Sequence, residues 1–600
     1  MSQTPGALGR RYLPFLVLAA VQVLLVAIAP SKVPSSSATN LSTGSNQTGV
    51  AGQTLNNGGA AGNGLTQDAN GNYVDVNGNI VQGPSTGPGV TTRGAAADMS
   101  KCDKNGRQIG PPGYKLMPPC VPVWHGGDNG GATMTGVTKD AINFVVYVGQ
   151  GNAEVNAILA TQGLAASGEQ ACEAKVAFYK EINKGYYETY GRKYVAMNGP
   201  GSNSGLAQEK SDGDTCSFPY FQGQCALTPP DPPCGLAEAK VIAAMHPAFV
   251  VGTYGDVMSE YLASQHIIVL GGGSAPGEYY AERSPYYYGI LMDGYRQADL
   301  DAEYWCKRMN AQPAVNAGAD VKAKWGTPPG TAPTRKLAAL FPETNGDESS
   351  YLSVNRFKKE VTGGVCSTPG GVLMIPYQSD ITTAQQQSDN VVQQLIANHI
   401  TTVACFCDPI APVFLTQTMK EQGYFPEHWI TGVGLIDYDV LGRLYDSTEW
   451  AHAFGASDLG TGQPFAQTDA ARWWSDAGNP GVPDSTENAV IPGFSLMATA
   501  FHVAGSHPTP DSIHKGLVAL DPLGAWQQLH DQHSIKVGFK PPSEWTATED
   551  MREINWSQTR VSEIDNKPGS YCPIDGGHRY DLGEWLRGTP DVFDTQKNGC

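Results

Sequence analysis

The feature that most constrains the fold of this chain is an alternation of short apolar runs with longer helical stretches, which begins near residue 140. The first apolar run, residues 142–148, reads INFVVYV and is followed by the polar turn 149–152 and a helical stretch that includes residues 171–190. Such alternation is typical of parallel sheets built from βαβ units. The first series continues with predicted strands at 194–197, 249–253 and 267–270 and predicted helices at 236–245 and 257–264.

A second series of similar size begins near residue 335. It consists of predicted strands at 336–341, 371–376, 401–405 and 428–433 and of predicted helices at 351–361, 383–398 and 410–422. Two successive α/β series predict two similar Rossmann-like lobes with parallel sheets rather than one large sheet. Ligands of such sheets bind beyond the carboxyl ends of the strands. The predicted interlobe cleft is therefore lined by the loops 149–152, 253–256, 271–275, 342–346, 406–408 and 432–434.

The N-terminal region predicts export. Two arginines precede an uncharged apolar run at residues 13–29, whose length suits either a signal peptide or a short membrane anchor. Ala27-Ile28-Ala29 resembles a small-residue cleavage site, whereas Pro30 directly after it disfavours cleavage. We expect an extracytoplasmic protein of the cell envelope, either secreted or anchored to the membrane by residues 13–29. Residues 31–97, rich in Ser, Thr, Asn, Gly and Gln, predict a flexible tether.

Cysteine usage agrees with export. Twelve cysteines follow the tether, at positions 102, 120, 172, 216, 225, 234, 306, 366, 405, 407, 572 and 600. An even number in an exported chain favours disulfides over metal ligation. Local pairs are plausible, such as Cys102 with Cys120 or two of the three cysteines at 216, 225 and 234. Cys405 and Cys407 flank a single residue, and because a bridge over one spacer is usually strained, we expect their partners elsewhere.

The charge balance excludes nucleic acid as a partner. The formal net charge is -18, which would repel phosphate backbones and anionic lipids and favours neutral or cationic partners. Acidity of this kind is also common among soluble proteins that bind no cation.

Motifs of catalysis and cofactor binding are missing from the sequence, and we expect no enzyme activity, no cofactor and no metal. There is no HExxH and no Gly-Lys dipeptide of a phosphate-binding loop. The GxSxG match at residues 83–87 lies in the tether, without the strand and helix of a nucleophile elbow. His530 and His533 are three residues apart but have no evident third ligand, so we interpret them as surface histidines.

Four segments together resemble the type I periplasmic binding proteins of the leucine/isoleucine/valine-binding branch, which serve ABC importers. The region of resemblance runs from about residue 136 to 556. It includes GVTKDAI at 136–142 before the first strand, the strand, helix, strand and Gly/Ser turn at 248–276, residues 381–433 with the ending GYFPEHWITGVG, and SLMATAFHVAG and TPDSIHKGL within 494–517. The chain departs from the family in a Cys-rich insertion at 211–234 and a Pro/Gly-rich stretch at 311–334.

The resemblance and the tether together predict a domain organisation. It comprises a signal peptide or membrane anchor at 1–30, a low-complexity linker at 31–97, a first lobe at 98–300, a second lobe at 301–440, returning segments that complete both lobes at 441–556, and a Cys-containing C-terminal extension at 557–600.

The resemblance also implies the ligand-binding residues. They are Gln150, Tyr254, Gly273, Ser274 and Ala275 from the first lobe and Glu343, Phe406, Asp408 and Gly434 from the second.

Some of these residues have a second interpretation. Ser274 follows three glycines, where bare backbone can approach a ligand, but the same residues suit a plain tight turn. Asp408 could balance a ligand amine or cap the helix that follows it. Five tyrosines, at 279, 280, 286, 287 and 288, could stack on a ligand ring or pack the lobe.

We expect a non-enzymatic solute-binding protein that captures a small polar, amino-acid-like or amide ligand and presents it to an ABC permease in the membrane. Three alternatives remain: a membrane-tethered ligand sensor, an envelope enzyme on a borrowed fold, and a structural envelope protein. Transport predicts permease genes beside this one, whereas sensing predicts a signalling partner.

Overall fold

The computed structural model describes residues 97–593 together with two short strands, Thr66–Gln67 and Tyr73–Val74, that pair with each other. The gaps in the main range are 114–116, 151–167, 206, 210–214, 226–230, 272–274, 344–348, 382, 461–463, 483–490, 521–538 and 542. The apolar run 13–29 and most of the tether, as well as His530 and His533, lie outside the described residues. Within the described ranges, no helix is both long and apolar enough to cross a bilayer.

Two parallel sheets organise the chain. The first contains β1 (Ala141–Val148), β2 (Lys193–Ala196), β3 (Phe249–Val251), β4 (Ile268–Leu270) and β5 (Tyr287–Tyr288), and a two-residue strand, Phe221–Gln222, that pairs in parallel with the end of β1. The second contains β6 (Leu337–Pro342), β7 (Val372–Tyr377), β8 (Thr402–Cys405), β9 (Glu427–Ile430) and β10 (Ala453–Ser457), extended by the antiparallel strands β11 (Met551–Val561), β12 (Pro568–Pro573) and β13 (Arg579–Tyr580). The central strands are almost fully buried, as expected for strands covered by helices on both faces.

The two sheets share one strand order. The first runs β2-β1-β3-β4-β5 and the second begins β7-β6-β8-β9-β10, so that in both the second strand of the series lies outside the first. This is the doubly wound order 2-1-3-4-5, whose direction of winding reverses between the first and third strands. The parallel pairing of the first five strands in each sheet confirms the two predicted α/β series.

Helices cover both faces of each sheet. The first lobe has α1 (Gly168–Ile182), α2 (Pro232–Ala244), α3 (Gly255–Ser264) and α4 (Gly277–Glu282). The second has α5 (Gly294–Tyr304), α6 (Ala319–Trp325), α7 (Ser349–Val361), α8 (Ala384–Ala397), α9 (Ala411–Glu421), α10 (Asp439–Gly442) and α11 (Ser447–Trp450). The chain then returns to the first lobe with α12 (Asp469–Asp476), α13 (Ile491–Ala504) and α14 (Pro510–Ala519).

The chain therefore passes between the lobes three times, near residues 289–293, 458–468 and 539–550. Two of these crossings are joined, because the amide of Gly289 donates a 2.8 Å hydrogen bond to the carbonyl of Trp545. Asp293 begins α5 by accepting hydrogen bonds from the backbone amides of its first turn, and it also accepts one of 2.5 Å from the Ser543 hydroxyl. The crossings at 289–293 and 539–550 thus form a hydrogen-bonded hinge region, about which two lobes can rotate.

Disulfides fasten both lobes. The pairs are Cys102–Cys120, Cys172–Cys216, Cys225–Cys234, Cys306–Cys366 and Cys405–Cys407, and Cys572 is disulfide-bonded as well. The expected pairing of Cys102 with Cys120 is confirmed, as is a pair within the group 216, 225 and 234. The expectation of distant partners for Cys405 and Cys407 is wrong. Because the chain turns as it leaves β8, their Cα atoms approach to 4.8 Å, within the range that a disulfide spans.

Candidate functional site

The carboxyl ends of the two sheets face each other. Asp256, in the first turn of α3, follows β3 directly, and Ser349 begins α7 after β6. The Ser349 hydroxyl donates a 2.8 Å hydrogen bond to Asp256 Oδ2, while the Tyr287 hydroxyl donates one of 2.6 Å to Oδ1. Since Asp256 belongs to the first lobe and Ser349 to the second, this contact closes one part of the interlobe cleft. Burial raises the pKa of Asp256, although the two hydroxyl donors favour its charged form.

The predicted first-lobe residues differ in their surroundings. Gln150 is exposed after β1. Tyr254 is buried, with the hydroxyl accepting a 2.6 Å hydrogen bond from the amide of Asp231, and burial raises its pKa to about 12. A Cβ at Gly235 would collide with the Tyr254 ring, which shows how closely this ring packs on α2. Ala275 is buried and its carbonyl accepts from the amide of Gly294 at the hinge.

Gly273 and Ser274 lie outside the described residues. The tyrosine-rich segment beside them packs the lobe, since Tyr280, Tyr287 and Tyr288 are fully buried. Of its two interpretations, packing is the one that the structure supports for these three rings.

In the second lobe, Asp408 joins the ends of two strands. Its Oδ2 accepts hydrogen bonds from the hydroxyls of Tyr377 (2.9 Å), the last residue of β7, and of Ser379 (2.8 Å), just after β7. Its Oδ1 accepts from the amides of Ile410 (2.9 Å) and Ala411 (3.1 Å), at the start of α9. Asp408 therefore accepts from the amides at the start of this helix, as its capping interpretation held.

Gly434 lies against the same loop. Its backbone has a φ of 66°, and a Cβ there would come within 2.4 Å of the carbonyl oxygen of Cys407. Phe406 points away from this loop into the core, where its ring lies 4.9 Å from that of Phe357. Glu343 is exposed at the end of β6, and its amide donates to the carbonyl of Tyr377. The structure thus brings Asp408, Gly434 and Glu343 to one edge of the second sheet.

Three residues of this cleft were not among the predicted contacts: Asp256, Ser349 and Tyr351. Tyr351, two residues after Ser349, is 48% exposed, and its ring lies 6.3 Å from that of Phe341. Asp256 falls within the loop 253–256, which the sequence predicts to line the cleft, but the sequence predicts no contact for this residue. Ser349 carries no sequence signal beyond its position before an amphipathic stretch.

One grouping among the described residues has the composition of a metal site, namely Cys225, Cys234 and Glu238. Its two sulfurs are joined in a disulfide and do not offer thiolates. Glu238 instead accepts a 2.7 Å hydrogen bond from the Tyr147 hydroxyl and one from the amide of Gln224. The disulfide and the hydrogen bond from Tyr147 to Glu238 thus stabilise the packing of α2 beside β1.

Three features define the class to which this fold belongs. They are two lobes of identical strand order, three passages of the chain between the lobes, and a cleft between the carboxyl-terminal edges of the two sheets. The chain has the two-lobed fold of the type I periplasmic binding proteins. Five described disulfide pairs indicate an oxidising compartment outside the cytoplasm.

Comparison with known proteins gave structural likenesses only. No family model matches the sequence, and no curated protein matches it. Among solved structures, the chain is similar to a solute-binding protein of an ABC transporter from Rhodopseudomonas palustris BisB5 in complex with 3,4-dihydroxybenzoic acid, at 13% identity and a TM-score of 0.45, over 74% of this chain and 98% of that one. It is also similar to an ABC transporter substrate-binding protein from Aeropyrum pernix, at 13% identity and a TM-score of 0.45, over 75% and 97% of the two chains. A third is the substrate-binding protein from Desulfitobacterium hafniense in complex with Leu, at 11% identity and a TM-score of 0.40, over 72% and 100%.

Proposed function

We propose that this protein is an extracytoplasmic solute-binding protein that captures a small polar ligand between its lobes and delivers it to an ABC-type importer. The observation that carries the proposal is the hydrogen bond from Ser349 to Asp256, because it joins the carboxyl-terminal edge of one sheet to that of the other. Clefts of this kind are where doubly wound sheets bind ligands.

Binding would act through the hinge. A ligand that touches both lobes only when they are closed shifts the open–closed equilibrium by its differential affinity for the two forms. The contact between Asp256 and Ser349 gives the closed form one interaction of its own before any ligand is present. The closed form is then the one that a membrane permease would recognise.

The ligand would meet polar groups at the sheet edges. From the first lobe we assign Gln150 together with Tyr254, Gly273, Ser274 and Ala275, and from the second Glu343, Asp408 and Gly434. Phe406 is left out of the assignment, because its ring packs in the core. Among the described residues of this set, Gln150 and Glu343 are the exposed ones, and an exposed carboxylate suits a ligand amine or amide. Asp408 already has four donors, so we assign it the positioning of the loop between β8 and α9.

The tether suits this role. A low-complexity segment of residues 31–97 would let the folded lobes reach a permease while residues 13–29 stay in the membrane. The partners that we propose for the protein are a small-molecule ligand and a membrane permease. We assign no catalytic residue and no cofactor.

A thermal-shift screen of the oxidised, exported protein tests this function. The library comprises amino acids, amides, short peptides, sugars and aromatic acids. A ligand that binds only the native state adds about 2.7 kcal/mol at a hundredfold excess over its Kd and raises the melting temperature. A hit that Glu343→Gln weakens at least about tenfold supports the proposed cleft site. Absence of any shift across the whole library would contradict capture of a small polar solute.

A further inference from the structure

The three crossings of the hinge are held in two different ways. The first crossing (289–293) and the third (539–550) are joined by hydrogen bonds between their backbones. The second (458–468) begins where the pairing of β10 with β11 ends, at Ser457 and Arg552. Beyond that pair, no hydrogen bond between backbone groups of the described residues joins the second crossing to the other two. Any restraint on the second crossing therefore depends on side chains.

One arginine binds both the second and the third crossing. Nη1 of Arg579 donates to the carbonyl of Leu459 (2.9 Å), and Nη2 donates to the carbonyl of Asp458 (3.0 Å), both in the second crossing. At the end of the third crossing, Nε donates to Asp550 Oδ1 (2.9 Å) and Nη2 to the Asp550 carbonyl (2.7 Å). The Arg579 side chain is only 6% exposed, so these hydrogen bonds are shielded from water. A guanidinium carries donors on three nitrogens, which is why one side chain can reach both crossings.

A second arginine adds to this contact. Arg552 lies opposite Arg579 in the pairing of β11 with β13, and its Nη2 donates to the carbonyl of Gly460 (2.9 Å). Three consecutive carbonyls of the second crossing therefore accept from arginines. Burial lowers the pKa of Arg552 to about 10, and the nearby charge of Arg579 acts in the same direction, so Arg552 stays protonated at neutral pH. The buried carboxylates of Asp437 and Asp550 oppose the two positive charges.

The strand that carries Arg579 is fixed to the second lobe. The neighbouring residue of β13, Tyr580, is buried, and its ring stacks on that of Trp585 at a centroid distance of 4.4 Å. Trp585 in turn packs against Tyr304 of α5, with the ring centroids 4.8 Å apart. These contacts hold Arg579 in place, so a change in the path of the second crossing would break its hydrogen bonds.

We propose that Arg579 is a positioning residue of the hinge, through which the C-terminal extension limits the rotation of the lobes and so sets how far the cleft can open. Rotation about a hinge is absorbed by the few residues that cross between the lobes, and Arg579 binds two of the three crossings. The inference deepens the proposed function, because it names a residue that limits the lobe motion on which solute capture depends. Its test uses no ligand, so the hinge restraint and solute capture can fail independently of each other.

Hydrogen–deuterium exchange of the full, ligand-free protein tests the restraint in the variant Arg579→Lys. Lysine keeps the positive charge beside Asp550 but has a single nitrogen, so it cannot bind both crossings. We expect the amides of residues 458–460 to exchange at least about tenfold faster, while exchange in β1 and β8 stays unchanged. Unchanged exchange at 458–460 would overturn the proposal. Faster exchange throughout both sheets would overturn it as well, because Arg579 would then stabilise the fold as a whole rather than the hinge.

Small-angle X-ray scattering of the same variant tests whether the restraint acts on the lobes. The lobes already touch at Asp256 and Ser349, so added rotation can only separate them. We expect a larger radius of gyration for Arg579→Lys than for the unmodified protein. An unchanged radius of gyration, even with faster exchange at 458–460, would show that the second crossing moves without the lobes and would overturn the proposal.

A second variant keeps the test valid if Arg579→Lys fails to fold. Arg552→Met keeps the length of the side chain but removes the donor to the carbonyl of Gly460. We expect a smaller change of the same kind, with faster exchange at 458–460 and a larger radius of gyration. Lack of both changes in Arg552→Met would contradict a restraint of the second crossing by the paired arginines.

Arg443→Lys is the matched control. Arg443 also binds the C-terminal extension, since Nη1 donates to the carbonyl of Gly569 (3.0 Å) and Nη2 to Asp565 (2.7 Å), and its side chain is 9% exposed. Neither partner lies in a crossing of the hinge. This variant should change exchange at 458–460 by less than about twofold and leave the radius of gyration as it is. An effect equal to that of Arg579→Lys would mean that any loosening of the extension acts on the hinge, and the assignment to Arg579 would be wrong.

Discussion

The hydroxyl of Ser349 in the second lobe donates a 2.8 Å hydrogen bond to the buried carboxylate of Asp256 in the first. Hydrogen bonds to charged groups contribute about 1.5–3 kcal/mol, and this one exists only while the lobes are together. Ser349→Ala should therefore shift the ligand-free protein toward the open form. Small-angle X-ray scattering checks this as an increase in the radius of gyration.

Ser353 offers a matched control one helical turn further along α7. Its hydroxyl is buried and makes no hydrogen bond to any residue that the structure describes, so that Ser353→Ala removes the same atom without breaking a described contact. We expect this variant to scatter like the unmodified protein. Identical curves for Ser349→Ala and Ser353→Ala would show that the interlobe hydrogen bond does not hold the cleft closed.

Gly434 is expected to tolerate no side chain. Gly434→Ala places a Cβ against the carbonyl of Cys407 in a left-handed backbone conformation, which should cost about 3 kcal/mol or more. Gly423 has a similar φ of 58°, but no atom of the described residues lies within 4 Å of a Cβ there, so Gly423→Ala should cost only about 1 kcal/mol. Urea unfolding measures both changes in the free energy of unfolding. Equal costs would mean that the loop after β9 moves freely away from Cys407.

Two disulfides of the second lobe should differ in what their removal costs. Cys306–Cys366 closes a loop with a sequence separation of 60, and Cys405–Cys407 one with a separation of 2. Loop-closure entropy then predicts a loss of about 4 kcal/mol for the double Cys→Ser variant of the first pair and roughly 1.5 kcal/mol for that of the second. Denaturant unfolding of the two double variants measures the difference. A larger loss for the short pair would indicate that it holds the native loop in place rather than restricting the unfolded chain.

Periodicity was enough to predict the elements of the fold. The helix expected at 410–422 is found as Ala411–Glu421, and the strand expected at 142–148 as Ala141–Val148. Both signals are local, since they arise from residues that bury one face or one run of apolar side chains. The carboxyl-terminal sheet edge could be predicted as well, because it depends only on the order of strands and helices.

Contacts between distant parts of the chain could not be predicted in this way. Asp256 and Ser349 are 93 residues apart, and their contact depends on how the lobes are set by the hinge. The bridge between Cys405 and Cys407 depends on the path of the backbone as it leaves β8, which composition does not encode. The same holds for Arg579, whose contacts with two crossings of the hinge are evident only from the packing around it.

His502 should make the folded state sensitive to acid. This buried residue on α13 accepts a 2.9 Å hydrogen bond at Nδ1 from the amide of Glu188 and donates at Nε2 to the carbonyl of Pro119 (3.0 Å), so it ties the N-terminal segment to the first lobe in its neutral form. Burial lowers its pKa from 6.5 to about 4. Because the unfolded chain binds the proton more tightly than the folded one, stability is full above the unfolded pKa and falls as the pH drops from 6.5 toward 4.

The expected loss from this group is about 2 kcal/mol at about pH 5. His502→Gln keeps an acceptor and a donor but cannot take up a proton, so its unfolding free energy should fall less steeply over that range. His428, whose pKa burial lowers to about 3, contributes a loss of the same sign in both proteins and cancels in the comparison. The control is His507→Gln, since that side chain is 54% exposed and should leave the slope unchanged. If the unfolding free energies of the unmodified protein and of His502→Gln fall in parallel with pH, the N-terminal segment detaches before His502 is protonated. Contacts other than those of His502 would then hold this segment on the first lobe.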